Sequence, residues 1–534
     1  MAFNKTLVLR HKFGGGWNTD SGPTADVSPD ASGLVVIPFL TEAQDCLFEL
    51  DGGPHEIGGA SKVNSSAVAS GAVITGVYDY WRQGTAGSQS RRRVLHAGTV
   101  ALADTDDTVF STTIGSGLES GKVPSYFTFD DLLIFSSDST VDVPRSWDQT
   151  TAQALSGTPP RFSFGVAHKN RAWVAGVYAN SSRLYYSANT DPEDWTGVGS
   201  GSVDIDPNDG DMITGLVSHK DELFVFKGPN KGSIHRIIGS SPTGSDGFAR
   251  KNFVKGIGAC WHNAIFPFGD DIGFVSQYGS IHSLSATAAY GDFIGASLSR
   301  PINGWIKNHL NYNRLRYITA ATDHFRGVVY ITISIDANST NNVTLAMDFR
   351  GAPDIIRWSR IPSYKQGSLG VFVDTNGVRR VLGGGNDGFV RRLNIVDRAI
   401  DATTALSFNV KTPHLNYGNP MLLKNISVAS LGIAPKGNFN MTFGWQRDDN
   451  AQQTYIAAQG GTDVLGPVSV NQFKLDSSLL GGARYVDRYM ELEEGGDFRS
   501  IAYSVTQATL NADIELHSIA AVVTPGAIST ETTP

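Results

Sequence analysis

His219-Lys220-Asp221-Glu222-Leu223-Phe224-Val225-Phe226 sets two polar, turn-forming residues ahead of an unbroken apolar run. Lys220-Asp221 suits a tight turn between extended segments, and Leu-Phe-Val-Phe suits a strand buried on both faces. The arrangement recurs on either side. Upstream lie Phe129-Asp130-Asp131-Leu132-Leu133-Ile134-Phe135 and His168-Lys169-Asn170-Arg171-Ala172-Trp173-Val174-Ala175. Downstream lie Phe268-Gly269-Asp270-Asp271-Ile272-Gly273-Phe274-Val275 and His324-Phe325-Arg326-Gly327-Val328-Val329-Tyr330-Ile331, with a weaker copy over Val373–Val381. Asp131, Arg171, Glu222, Asp271, Gly327 and Gly377 mark the copies at intervals of 40, 51, 49, 56 and 50 residues. A four-stranded propeller blade takes about 40–50 residues, so each copy fits one blade.

A second strand follows most copies: Ser182–Ser187, Ser233–Ile238, Ser280–Leu284, Thr344–Asp348 and Phe389–Leu393. The two runs read as the middle strands of a blade. An earlier copy at Arg93–Val100 brings the expected number to six or seven. The expected fold is therefore all-β: a β-propeller of six or seven blades over 54–398, followed by a C-terminal β-sandwich over 399–524. The sandwich rests on longer, alternating strands such as Met421–Ala429, Phe439–Trp445, Arg484–Leu492, Ile501–Gln507 and Glu515–Val522. Residues 1–53 carry few strand signals and are expected as an extended arm. The Ser/Thr/Pro-rich end, 525–534, is expected as a flexible tail.

Composition agrees with this class. The chain has 534 residues, 59 of them Gly, and 18% are charged, which fits short strands joined by tight turns better than helices with charged faces. The net charge of −8 argues against a protein that grips nucleic acid through its phosphates. Two cysteines, Cys46 and Cys260, make no disulfide framework. Met1–Lys12 has no apolar leader core, and no window holds 18 uninterrupted apolar residues, so a chain folded in a cytoplasm without a membrane anchor is expected.

Candidate chemistry is thin. Asp204-Ile205-Asp206-Pro207-Asn208-Asp209-Gly210-Asp211 spaces oxygen ligands like a calcium loop, making Asp204, Asp206, Asn208 and Asp209 a weak calcium candidate. The glycine falls one place late and Gly215 stands where a bidentate Glu belongs, so no metal and no cofactor is expected. Ser187–Trp195 approaches the Asp-box pattern of sialidase blades, but departs from it at three points and occurs once. The histidines show no HxH or HExxH spacing. His168, His219 and His324 repeat one blade position, which favours a structural role. No GxSxG or P-loop is present. Arg91-Arg92-Arg93, Arg379-Arg380 and Arg391-Arg392 lie in strands, where neighbours face opposite ways and make no single basic patch. No catalytic residue is expected.

Ser182–Ser187 through Asp191–Trp195, Ile213–Leu216 with Leu223–Lys227 and Ser233–Ile237, and Gly256–Cys260 through Asp270–Ser276 and Gly279–Leu284 together resemble the propeller of tail nozzle, or packaged-DNA stabilisation, proteins of short-tailed bacteriophages. The resemblance is best over residues 160–290 and thins toward both ends. It implies a structural virion protein, assembled in the host cytoplasm as a homohexameric ring at the distal end of the tail. Implied partners are the tail adaptor and portal-side proteins, and tail fibre, spike or needle proteins. Double-stranded DNA would pass through without sequence-specific contact. Two alternatives differ in class: a propeller glycosidase, needing two convergent carboxylates, and a receptor-binding adhesion module of a tail.

Overall fold

The structure is a computed structural model and describes residues 7–528, apart from 84–88, 106–108, 291–296, 353–354, 375–376, 435–438, 449, 460–485 and 493–496. The chain divides into two units: 62–345 with 364–393, and 1–61 with 346–363 and 394–534.

The first unit is a propeller of seven blades among the described residues. Blade one runs Ile74–Gln83, Gln89–Ala97, Val100–Asp104 and Phe110–Ser116. Blade two runs Pro124–Phe129, Leu132–Ser137, Arg145–Trp147 and Ala152–Ala154. Blade three is Phe164–His168, Arg171–Ala175, Arg183–Tyr186 and Gly201–Asp204. Blade four is Met212–His219, Glu222–Gly228, Ser233–Ile238 and Ala249–Lys255. Each is antiparallel with neighbours paired in order. The repeated turn dipeptides behave as their residues require. Asp130-Asp131, Lys169-Asn170 and Lys220-Asp221 all take positive φ at both positions, as a two-residue hairpin whose twist matches its strands demands.

Blade five departs from the pattern. Ile265–Phe268, Asp271–Val275 and Ile281–Ser283 make three strands, and the helix Leu284–Tyr290 follows them. Leu-Ser-Ala-Thr-Ala-Ala-Tyr holds three alanines and few β-branched residues, and Leu284 packs into the apolar layer with Phe226 and Phe274. Blade six begins with Thr319–Asp323 and Val328–Ile333, and blade seven with Gln366–Val373 and Arg379–Gly385. Blade seven is closed from the other end of the chain. Val63 N donates to Val390 O at 2.8 Å, Asn64 Nδ2 to Gly388 O at 3.1 Å, and Val390 N to Asn64 Oδ1 at 2.7 Å. The innermost strands of blades one and seven complete the ring: Ser368 Oγ donates to Ile74 O at 3.0 Å and Val373 N to Asp79 Oδ2 at 3.0 Å. Apolar layers fill the spaces between blades, for example Trp173, Leu184, Ile213, Leu223 and Val225 between blades three and four.

The second unit is a two-sheet β-sandwich, and its membership corrects the sequence-based boundaries. The segment expected as an arm supplies strands instead. Leu7–Phe13 pairs antiparallel with Leu516–Ile528 and parallel with Leu34–Ile37. Leu516–Ile528 in turn pairs with Leu422–Ile433, and that strand with Val486–Glu491. The other sheet includes Phe408–Lys411, Phe439–Arg447 and Ile501–Gln507. In Leu7–Phe13, Leu9, His11 and Phe13 are buried while Arg10 and Lys12 face solvent. The charged outward residues obscure an otherwise regular alternation. The two sheets are tied by a buried polar chain: His11 Nδ1 lies 2.8 Å from Ile519 O, its Nε2 2.9 Å from Tyr417 Oη, and Tyr417 Oη 3.0 Å from Tyr503 Oη. Part of the expected tail also belongs to a strand, since Leu516–Ile528 runs through 525–528; residues 529–534 lie outside the described residues.

Candidate functional site

The innermost strands leave a cavity of about 460 Å³ on the propeller axis. Tyr78 and Tyr126 stack there with ring centres 5.7 Å apart. His262 lies parallel to Phe164 at 5.1 Å, and its Nδ1 accepts from Leu216 N at 3.3 Å. Burial lowers the His262 pKa to about 4, so its ring is neutral near pH 7. Asp79 is the one carboxylate among the described lining residues. It accepts from Trp81 Nε1 and from Val373 N, each at 3.0 Å, and lies 3.6 Å from Arg91 Nε. Burial pushes its carboxyl upward against those donors. A glycosidase needs a second carboxylate across the scissile bond, and the described lining of this cavity brings none.

The calcium-like loop is organised around a lysine. Lys227 comes from the second strand of blade four with its side chain fully buried, and Nζ donates to Ile205 O (2.7 Å), Asp206 O (2.9 Å) and Asp209 Oδ2 (2.7 Å). Burial alone would push the Asp209 carboxyl up; the Lys227 ammonium and the Asp211 N–H outweigh it and hold it below the ordinary carboxylate range. Asp206 pairs with Arg250. Asp204 forms a two-pronged pair with Arg183, Nε to Oδ1 at 2.6 Å and Nη2 to Oδ2 at 3.1 Å. The structure thus assigns separate cationic partners to three of the four candidate residues. Asn208 takes a positive φ in the same loop, a backbone conformation that Asn tolerates.

The remaining sequence candidates are placed as follows. In Ser187–Trp195, Ala188 N donates to Asp194 O at 2.8 Å and Trp195 enters the apolar layer with Phe162 and Val174, so the segment is a blade turn anchored by an indole. His168 is buried with Nδ1 at 2.8 Å from Ser218 Oγ; His219 is half-buried and His324 exposed, so their shared position gives no shared environment. Ser233-Ile234-His235 and Ser280-Ile281-His282 each bring a hydroxyl to a ring Nε2, at 2.9 and 2.7 Å. Duplication in consecutive blades marks this Ser–His contact as part of the blade. Arg93 is buried against Asp104 at 2.7 Å, Arg380 pairs with Asp374 at 2.7 Å and Arg391 with Asp387 at 2.6 Å. A second, weaker acidic run is Asp104-Thr105-Asp106-Asp107; its Asp104 is the partner of Arg93, and Asp106 and Asp107 lie outside the described residues.

A larger feature lies at one face of the propeller. Loops of blades two, three and four, with Trp261 and Arg316, surround a cleft of about 1220 Å³. One wall is the turn Tyr178–Asn180. Val177, just before it, is buried in the core, and Gly176 takes φ +76°, where an added Cβ would stand 2.8 Å from the Ser163 Cβ. Ser163 Oγ closes the turn's base by donating to Gly176 O at 2.8 Å. Tyr178 is thereby held 86% exposed on a braced turn. The next wall is tied to the first, with Ile213 N donating to Ser181 O at 2.8 Å and Ser182 Oγ to Asp211 O at 3.0 Å. Asp211 in turn accepts from the N–H groups of Asn230, Lys231 and Gly232. Across the cleft Asp138, with only 4% of its side chain exposed, lies 3.3 Å from Arg316 Nη1 and accepts from Val123 N at 2.7 Å. Burial pushes the Asp138 carboxyl up, against those two partners. Of the sequence candidates, Asp204 and Asn208 line this cleft, though as residues of a calcium-like loop and not of a cleft; the other residues sit in loops that differ between blades, where the aromatic in Gly176-Val177-Tyr178-Ala179-Asn180 is the local hint.

No family model and no curated protein matches the chain. Among solved structures it is similar to YCF48 bound to D1 peptide (12% identity, TM-score 0.36, covering 65% of this chain and 98% of that one). It is also similar to Raptor from Chaetomium thermophilum (13%, TM-score 0.39, 65% of this chain and 29% of that one). A third likeness is to an ancestral GH74 enzyme (8%, TM-score 0.39, 69% of this chain and 53% of that one).

Proposed function

We propose that this chain is a structural, ring-forming component of a short bacteriophage tail, the nozzle through which the genome is retained and then released. The segments over residues 160–290 that resemble nozzle propellers are blades three to five, with the carboxylates of the calcium-like loop engaged by lysine and arginine partners. The net charge of −8, with 51 acidic side chains against 43 Lys and Arg, suits a wall past which DNA slides, since on balance it repels phosphates.

The observation that carries self-assembly is the outward face of one sandwich sheet. At one side it presents exposed Arg10 and Lys12 with Val8 and Val36; at the other it presents exposed Asp487 and Glu491 with Tyr489. The pairing order Leu34–Ile37, Leu7–Phe13, Leu516–Ile528, Leu422–Ile433, Val486–Glu491 puts these groups about 15–20 Å apart across strands spaced about 4.8 Å. A face that is basic at one edge and acidic at the other, with apolar residues at both, complements a second copy of itself. Native mass spectrometry of the purified chain is expected to give a closed oligomer. Reversing Asp487 and Glu491 to Lys, or Arg10 and Lys12 to Glu, should dissociate it, and mixing the two variants should restore mixed oligomers. A wild-type chain that remains monomeric at all concentrations and in assembled particles would sink the proposal. Imaging of the particles tests the finer claim, a ring at the tail tip.

A further inference from the structure

We propose that the cleft on the propeller face is a carbohydrate-binding site, in which a sugar ring stacks on Tyr178 and the exposed Arg183–Asp204 pair of the wall reads its hydroxyls. This does not rest on the nozzle reading and needs no oligomer.

Four features lead there. First, Tyr178 is a large aromatic side chain kept in water by a turn that is itself locked, with Val177 buried beneath it and Gly176 closed onto Ser163. A disordered loop would cost ordering entropy on binding, whereas this ring is already presented. A pyranose has an apolar C–H face and a polar rim, which matches an exposed phenol face surrounded by hydrogen-bonding groups. Second, the rim carries an exposed ion pair: Asp204 holds the guanidinium of Arg183 in a plane, and both side chains stay more than a third exposed. Arg316, its side chain 46% exposed, adds a second guanidinium, 3.3 Å from the buried Asp138 and donating through Nη2 to Tyr317 Oη at 2.9 Å. Paired donor and acceptor in one plane is the arrangement that binds vicinal hydroxyls, each of which both donates and accepts. Third, the balance of charge disfavours a polyanion. Lys122 is engaged by Glu119 at 3.2 Å, Arg183 by Asp204 and Arg316 by Asp138, which leaves the exposed Arg161, with Nη1 on Thr140 O at 3.2 Å, as the lining cation outside these ion pairs; a phosphate chain would find one such contact and not a row of them. Fourth, the volume of about 1220 Å³ exceeds the about 300–1,000 Å³ of a site for one drug-sized molecule, and so admits several linked rings.

The test uses the full-length chain on a panel of immobilised saccharides: O-antigen and capsule fragments of bacterial surface polysaccharides, with maltohexaose and cellohexaose. Hits are followed by titration calorimetry. Saturable binding to one saccharide class is expected. Tyr178→Ala should weaken it about tenfold, equivalent to about 1.4 kcal/mol, while Tyr178→Phe keeps it within about threefold. Arg183→Ala should weaken it by a similar factor. Tyr178 makes no core contact, so its variants should melt with the wild type, and ring protons of the bound sugar should receive saturation transfer that Tyr178→Ala abolishes. The proposal is overturned if no saccharide of the panel binds saturably, if binding is unchanged in Tyr178→Ala, or if an acidic peptide or DNA binds the cleft where the saccharides do not.

Discussion

Nζ of Lys227 lies 2.7 Å from Oδ2 of Asp209, inside a loop whose sequence spacing resembles that of a calcium site. The ammonium collects two backbone carbonyls as well, those of Ile205 and Asp206. Truncating Lys227 to Ala leaves these acceptors facing one another without a cation. A buried pair broken on one side costs about 3–5 kcal/mol, and the lower end applies because Asp209 keeps part of its surface in water. Urea unfolding monitored by tryptophan fluorescence should show the loss. With Lys227 in place, calcium should raise the melting temperature no more than magnesium at equal ionic strength, and a calcium-specific rise would contradict this account of the loop.

Asn64 fastens the ring by accepting from Val390 N and donating to Gly388 O. Replacing it with Leu orphans Val390 N, while Gly388 O keeps its bond from Val68 N at 2.9 Å, and should cost about 1–3 kcal/mol. Hydrogen exchange is the sharper readout. Protection should fall first in blade seven and blade one, while blades three and four stay slow. Uniform loss across all blades would mean that Asn64 does not act as a local clasp.

Glu56, in the sandwich unit, is fully buried, and burial pushes its pKa from 4.5 to about 8; Arg398 opposes this, and Asp513 and Asp45 add to it. The folded chain therefore keeps a proton that the unfolded chain releases above pH 4.5. The stabilisation is complete below that value and is lost as pH rises toward 8, with a slope of at most about 1.4 kcal/mol per pH unit. Glu56→Gln should flatten this dependence in urea titrations between pH 5 and 8.5. An unchanged slope would show that Glu56 ionises freely.

Histidines act in the opposite window. Burial lowers His11, His96, His168 and His262 to about 4, from 6.5. Each is neutral in the fold, so the unfolded chain binds more protons as pH falls from 6.5 to 4, and stability drops over that range. Calorimetry should find the melting temperature falling steadily there. A flat profile would place these rings in contact with water or an anion.

The propeller was legible because one blade repeats a chemical instruction. Asp130-Asp131, Lys169-Asn170 and Lys220-Asp221 combine turn-forming polarity with a following apolar run, and the same backbone geometry answers each time. The sandwich boundaries were less legible for two reasons. Arg10 and Lys12 interrupt the apolar signal of Leu7–Phe13, and the antiparallel partner of that strand lies over 500 residues away, as in the His11–Ile519 contact at a separation of 508. The helix after Ile281–Ser283 broke a pattern of strands that neighbouring blades had made seem general. Nothing in the immediate sequence neighbours of Lys227 announces that its ammonium occupies the loop of Asp209.

The clasp at Asn64 sets a timetable. Its partner Val390 follows 326 residues later. At about 5–20 residues per second of synthesis, roughly 16–65 s separate the two. During that interval the earliest blades emerge with the flank of blade one uncovered, and no local contact can substitute for the missing neighbour. Loop closure over so long a span is slow. The growing chain therefore carries an open intermediate, one face of blade one uncovered, for most of its translation, and a chaperone that shields that face would be of most use in that period.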